Sequence, residues 1–167
     1  VQFLPNADYD VDTTITTQVN DVSPGPGGVI TLDVTPVNDN PTATNLTGTI
    51  NYNEDQLGVD ALQPDIVISD VDDADYPQTI TVTLTLTDYL PVSFNNPGSS
   101  SFNSGTGVWT ITDTVANVNS ALASLTFDST LNWDDDSSFQ VQIVDQDLGG
   151  PAVTSIVLDV VPANDEP

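Results

Sequence analysis

Between Thr79 and Thr87 the chain reads TITVTLTLT, in which Ile80, Val82, Leu84 and Leu86 alternate with five threonines. A period of two places the apolar residues on one face and the hydroxyls on the other, which predicts a half-buried antiparallel strand over 78–87. Apolar runs bounded by Gly, Pro, Asn and Asp predict further strands at 46–53, 66–69, 91–94, 107–112, 125–127, 139–144 and 154–161, with two earlier ones at 13–19 and 29–34. Only residues 115–123, VANVNSALA, carry apolar residues at helical spacing, and they predict a short helical crossover of about two turns. The expected fold class is all-β: Greek-key, immunoglobulin-like β-sandwich modules in tandem, with one helical crossover. The threonine row also raises ice binding, but one row on one twisted strand is a poor flat surface. Threonine is in any case favoured at exposed strand positions, so the row reads as a solvated face.

The pattern occurs twice. Phe3–Asp21 (FLPNADYDVDTTITTQVND) lies over Phe127–Asp145 (FDSTLNWDDDSSFQVQIVD) at an offset of 124, and Ile30–Pro41 (ITLDVTPVNDNP) over Ile156–Pro167 (IVLDVVPANDEP) at an offset of 126. Eight of the last twelve positions are identical, and the change of offset falls in a hairpin loop. Self-similarity at a fixed period signals a repeat architecture. Residues 1–41 are therefore expected to be the C-terminal part of a preceding module, two strands and a linker, and residues 42–167 a complete module.

Composition narrows the function. The 167 residues include 25 Asp and Glu but no Lys, Arg or His, so the formal charge is −25 with no internal cation to offset it. Two unit charges about 4 Å apart repel by roughly 1 kcal/mol in water and about 4 at an effective dielectric of 20, so clustered carboxylates oppose compaction unless cations bind. Nucleic acid and anionic membrane surfaces need a basic patch, and both are excluded as partners. No stretch approaches the roughly 18 apolar residues of a membrane span, so no membrane insertion is expected. Without Cys or His there is no thiolate or imidazole ligand, and only oxygen remains. An all-oxygen site suits a hard cation, and at the millimolar concentrations found outside cells that cation is calcium.

The acidic groups recur in order. Asn38-Asp39-Asn40-Pro41 is matched by Asn164-Asp165-Glu166-Pro167. Asp10 and Asp12 beside Tyr9 are matched by Asp134, Asp135 and Asp136 beside Trp133, and Asp21 is matched by Asp145, followed by Asp147. Asp70, Asp72, Asp73 and Asp75 form a run about thirty residues after the first linker. No single cluster offers the six to eight oxygens calcium takes, whereas a linker with both flanking modules does. Neither Asp8-Asp10-Asp12 nor Asp70-Asp72 is followed by the glycine and the twelfth-position Glu of an EF-hand.

The linker VNDNP after an apolar strand resembles the intermodule linker of cadherins, and TVANVNSALASLTF followed by an Asp-rich loop and VPANDEP resembles the cadherin-like repeats of large bacterial adhesins. That resemblance spans 42–167, with 1–41 matching the end of such a repeat. It implies calcium held between successive modules. By position, one junction would use Asp10, Asp12 and Asp21, then Asn38, Asp39 and Asn40, then Asp70 and Asp72 with Asp73 or Asp75. A second would use Glu54, Asp134, Asp135, Asp136, Asp145 and Asp147 with Asn164, Asp165 and Glu166. Two departures stand out: Pro36 and Pro162 occupy the place of an acidic residue in the cadherin linker, and the downstream run has an extra Asp.

The expectation is an extracellular, cell-surface structural or adhesive repeat protein, stiffened into a rod or filament by calcium, with neighbouring copies or modules as partners. The alternative is a carbohydrate-binding module of a secreted protein, which would need Trp109 or Trp133 exposed. An enzyme would need two opposed carboxylates in a cleft, and no nucleophile or base can be assigned. Asn45-Leu46-Thr47 is a formal glycosylation acceptor.

Overall fold

The computed structural model describes residues 2–74, 78–87 and 92–164. Its contacts divide the chain into two units, Val1–Asn38 and Asp39–Pro167.

The first unit is a hairpin of β1 (Thr13–Asn20) and β2 (Pro24–Leu32). The strands are antiparallel, with Thr13 opposite Leu32, Ile15 opposite Ile30 and Thr17 opposite Gly28, and the register shifts between Gln18 and Asn20. β2 begins five residues earlier than the apolar pattern suggests, because Pro24 and the glycines beyond it extend the ladder without alternating side chains. Gly25 is required there: a Cβ would press on the Val19 carbonyl.

The second unit opens with β3 (Thr42–Thr44), β4 (Gly48–Asn53), β5 (Val59–Asp60) and β6 (Val67–Ser69), followed by a 3-10 turn at Asp72–Ala74. It continues with β7 (Thr79–Leu86), β8 (Ser93–Phe94), β9 (Ser101–Asn103), β10 (Val108–Thr114) and helix α1 (Val115–Leu122), and ends with β11 (Thr126–Asp128), β12 (Ser137–Val144) and β13 (Thr154–Val161). One sheet runs β4-β13-β12-β7-β10-β9, a second β5-β11-β8, and β3 pairs with β6. Neighbours are antiparallel except β13 and β4, which run parallel from the pair Ile156–Gly48 to the pair Val161–Asn53.

The alternation in β7 works as expected: Ile80, Val82, Leu84 and Leu86 are buried, while the threonines between them face outward. Trp109 and Ile111 of β10, Phe139, Val141 and Ile143 of β12, and Ile156, Leu158 and Val160 of β13 complete the inner face. The second sheet meets this face through aromatic edges: Phe139 lies 5.7 Å from Phe94 and 6.1 Å from Phe127, ring centre to ring centre. The unit is thus all-β and sandwich-like, with each large buried side chain contributing about 1.5–3 kcal/mol of apolar burial.

Helix α1 carries the chain from one sheet to the other. The Thr114 hydroxyl caps it by accepting from the Asn117 N–H. Val118 and Leu122 pack inward. Asn119 then substitutes for a strand neighbour, since its Oδ1 accepts from the Ile68 N–H and its Nδ2 donates to the Ile68 carbonyl, both at 2.9 Å.

Three features of the first unit recur at the repeat positions of the second. In register, Ser137 faces Leu158 and Phe139 faces Ile156, as Thr13 faces Leu32 and Ile15 faces Ile30. The Val34 N–H donates to Asp12 Oδ1 at 2.9 Å, and the Val160 N–H to Asp136 Oδ1 at the same distance. Phe3 and Tyr9 sit 6.1 Å apart, and Phe127 and Trp133 5.8 Å.

Candidate functional site

Where β3 enters the second unit, the linker meets the segment after β6. The Asp72 N–H donates to Asp70 Oδ1 at 3.0 Å, which fixes the turn, and the Asp39 N–H donates to Asp72 Oδ2 at 2.7 Å, which ties the linker to that turn. The β12–β13 turn closes on the same place. Asp145, only 2% exposed, accepts from the N–H groups of Asp147 and Gly149 at 2.8 Å each. Gly149 leaves room for the Asn40 side chain: a Cβ there would overlap Asn40 Oδ1 and stand 2.8 Å from its Cγ and 3.0 Å from Asp145 Oδ2. Asp39, Asn40, Asp70, Asp72 and Asp145 are therefore gathered at one end of the second unit.

Glu54 and Asp136 hold the other end. Glu54 follows β4, is 7% exposed, and accepts the Ala163 N–H at 2.7 Å on Oε2. Asp136 precedes β12 and clasps Val160, with Asp134 and Asp135 exposed beside it. Because β4 and β13 are parallel, both finish at this end. Nearby, Asp55 accepts from the Asn132 N–H at 2.8 Å, and Asp128 accepts from the Gly58 N–H.

The grouping implied by the cadherin resemblance needs a correction. The resemblance puts Asp136 and Asp145 in one junction, but they flank the eight residues of β12. At about 3.3 Å per residue this separates them by about 30 Å, so no ion touches both. Asp145 belongs with Asp70, Asp72 and Asn40, and Asp147 lies in the same turn. The same reasoning parts Asp12 from Asp21, which flank β1 in the first unit. Asp10 is half-buried, and Asp12 and Asp21 are exposed. Asp75, Asp165 and Glu166 lie outside the described residues, and Asn38 and Asn164 are at the unit ends.

The first end carries unbalanced charge. Burial pushes the Asp70 carboxyl up from its ordinary value, and the charges of Asp72, Asp145 and Asp73 add to this, against the lowering effect of the Asp72 N–H. Its Oδ2 is buried without a hydrogen-bond partner. An orphaned carboxylate oxygen among other carboxylates fits a hard cation. Among the described residues no three acidic side chains are drawn tightly enough to hold an ion alone, so an ion there would also need amide or carbonyl oxygen and a further donor.

Elsewhere the chemistry is sparse. Trp109 and Trp133 are both in the core, at 0% and 6% exposure, so neither offers a platform for a sugar ring. A cleft of about 360 Å³ beside α1 is lined by Asp113, Ser99 and Asn117. Hydrogen bonds from Asn117, Ser99 and the Thr114 N–H hold the Asp113 carboxyl below its ordinary value, and among the described residues it is the one ionisable group in the lining. The Asn45 amide donates to the Asp65 carbonyl at 2.7 Å. Among the described residues, no helix is long and apolar enough to cross a membrane. Neither a family model nor a curated protein matches this sequence.

Proposed function

We propose that the chain is part of an extracellular structural or adhesive array of Greek-key, cadherin-like modules, in which calcium bound at module ends stiffens successive modules into a rod or filament. One observation carries this reading: Asn40, Asp70, Asp72 and Asp145 converge at one end, with a buried Asp70 oxygen left unpartnered, in a chain that has no cationic side chain. Asp70 Oδ2 and the Asn40 and Asp145 oxygens would face the ion. Asp72 and Asp39 would fix the linker against the turn, and the remaining donors would come from the end of an adjoining module. Calcium would supply the charge that the sequence lacks. Glu54 and Asp136 would serve the opposite end in the same way.

Titration calorimetry of the chain with calcium, paired with small-angle scattering with and without chelator, tests the proposal. Binding that disappears in Asp70→Asn, together with scattering that stiffens on adding calcium at unchanged β content, supports it. No heat of binding at millimolar calcium, or identical scattering in both conditions, sinks it.

A further inference from the structure

The hairpin β1–β2 matches β12–β13 in register, yet its apolar face is open. Val19 and Ile30 are 69% and 53% exposed, while their repeat counterparts Ile143 and Ile156 are 1% and 4% exposed. In the second unit that face is covered by the aromatic layer of Phe94 and Phe127, β7 pairs antiparallel along the free edge of β12, and β4 pairs parallel along the free edge of β13.

We infer that β1–β2 is a docking element for a sandwich body of the type formed by residues 42–124, the counterpart of 125–136 being residues 1–12 of the chain itself. Such a body lays a β7-like strand antiparallel on β1 and a β4-like strand parallel on β2, and it closes an aromatic layer over Ile15, Val19, Ile30 and Leu32. The matched register fixes the edge pairing, because a one-residue slip would turn every one of these side chains to the wrong face. The Asp12–Val34 clasp sets where the docked edge ends, as the Asp136–Val160 clasp does in the second unit. Phe3 occupies the position of Phe127, the residue that joins β5 and β8 into the covering sheet. A face that shares register, clasp and ring pair with a covered one is shaped for the same cover. An isolated two-stranded hairpin is otherwise marginal in water.

This rests on the modular reading above, but it concerns apolar docking and not calcium. Run in chelator, the test below therefore succeeds or fails independently of ion binding. A longer polypeptide is made in which residues 42–124 precede Val1, the position where the repeat aligns them, and amide exchange of β1–β2 is compared with that in the chain as it stands. The expected result is rapid exchange and a monomer for the chain alone, with exchange slowed at least about a hundredfold in the extended protein. Ile30→Asp should abolish that protection and change nothing in the chain alone. Slow exchange in the monomeric chain overturns the inference, because no cover is then needed. Protection that appears only on self-association also overturns it, since a second copy is then the occupant. The same body folds around residues 137–161 in the second unit, so an added body that stays unfolded or leaves β1–β2 unprotected counts equally against it.

Discussion

Replacing Asp70 by Asn should strengthen the protein without calcium and weaken it with calcium. The amide keeps the Oδ1 that accepts the Asp72 N–H, and it removes a charge facing Asp72, Asp145 and Asp73. A buried acceptor without a partner costs about 1–3 kcal/mol. In the variant the group at that position carries no charge to oppose those of Asp72, Asp145 and Asp73, so the calcium-free form should gain on the order of 1 kcal/mol, or about 3–5 °C in Tm. Calcium at a hundred times the wild-type Kd adds about 2.7 kcal/mol to the original protein. If losing a charged ligand lowers affinity about a hundredfold, the variant gains only about 0.4 kcal/mol at that concentration. The stability order should then reverse, with the variant melting higher in chelator and lower in calcium. Melts followed by circular dichroism in both conditions decide the matter. A variant that is less stable in both, or that gains as much from calcium as the original, would refute the reasoning.

Asp136→Ala should lower the stability of the second unit by about 1.5–3 kcal/mol even in chelator, because the Val160 N–H loses a charged acceptor; urea unfolding measures it. Gly149→Ala should displace the flexible Asn40 side chain while leaving the fold almost unchanged, so calorimetry should show calcium affinity falling roughly tenfold or more with little change in Tm. In chelator, Asp70 binds its proton more tightly folded than unfolded, so its contribution to stability should rise as the pH falls from neutral through its raised folded pKa towards 3.8. Asp113 works in the opposite direction and lower down, its contribution being lost only as the pH falls below 3.8 through its depressed folded pKa. Comparing chelator melts at pH 7 and pH 5 for the original and Asp70→Asn isolates the first effect, which should vanish in the variant.

Strands with strict alternation were legible in the sequence. β7 and β13 appear within a residue of where their apolar periods place them, and α1 falls at 115–122 because Val118, Ala121 and Leu122 are the one apolar set at helical spacing. β3, β5 and β9 were not legible, since two- or three-residue strands such as Val59–Asp60 and Ser101–Asn103 exist only through a partner's ladder and have no period of their own. The resemblance groups Asp145 with Asp136, whereas the structure sets the two at opposite ends of β12. The signal needed was present: an eight-residue alternating strand between Asp136 and Asp145 is too long for one ion to bridge. Gly149 was missed because its importance lies in the Asn40 side chain it admits, and nothing in its own neighbourhood of sequence points to a residue more than a hundred positions away.

The parallel pairing of β4 and β13 has a mechanical consequence. In chain order these are the first and last strands of the six-stranded sheet, and they lie side by side over six residue pairs. Tension applied to the two ends of this unit pulls β4 and β13 lengthwise past each other in opposite directions. Every hydrogen bond of the ladder is then loaded in shear at once, whereas an antiparallel terminal pair pulled from one end would open bond by bond. Rupture must break the ladder together, so resistance to pulling is set by how the terminal strands are paired, separately from the equilibrium stability of the core behind them.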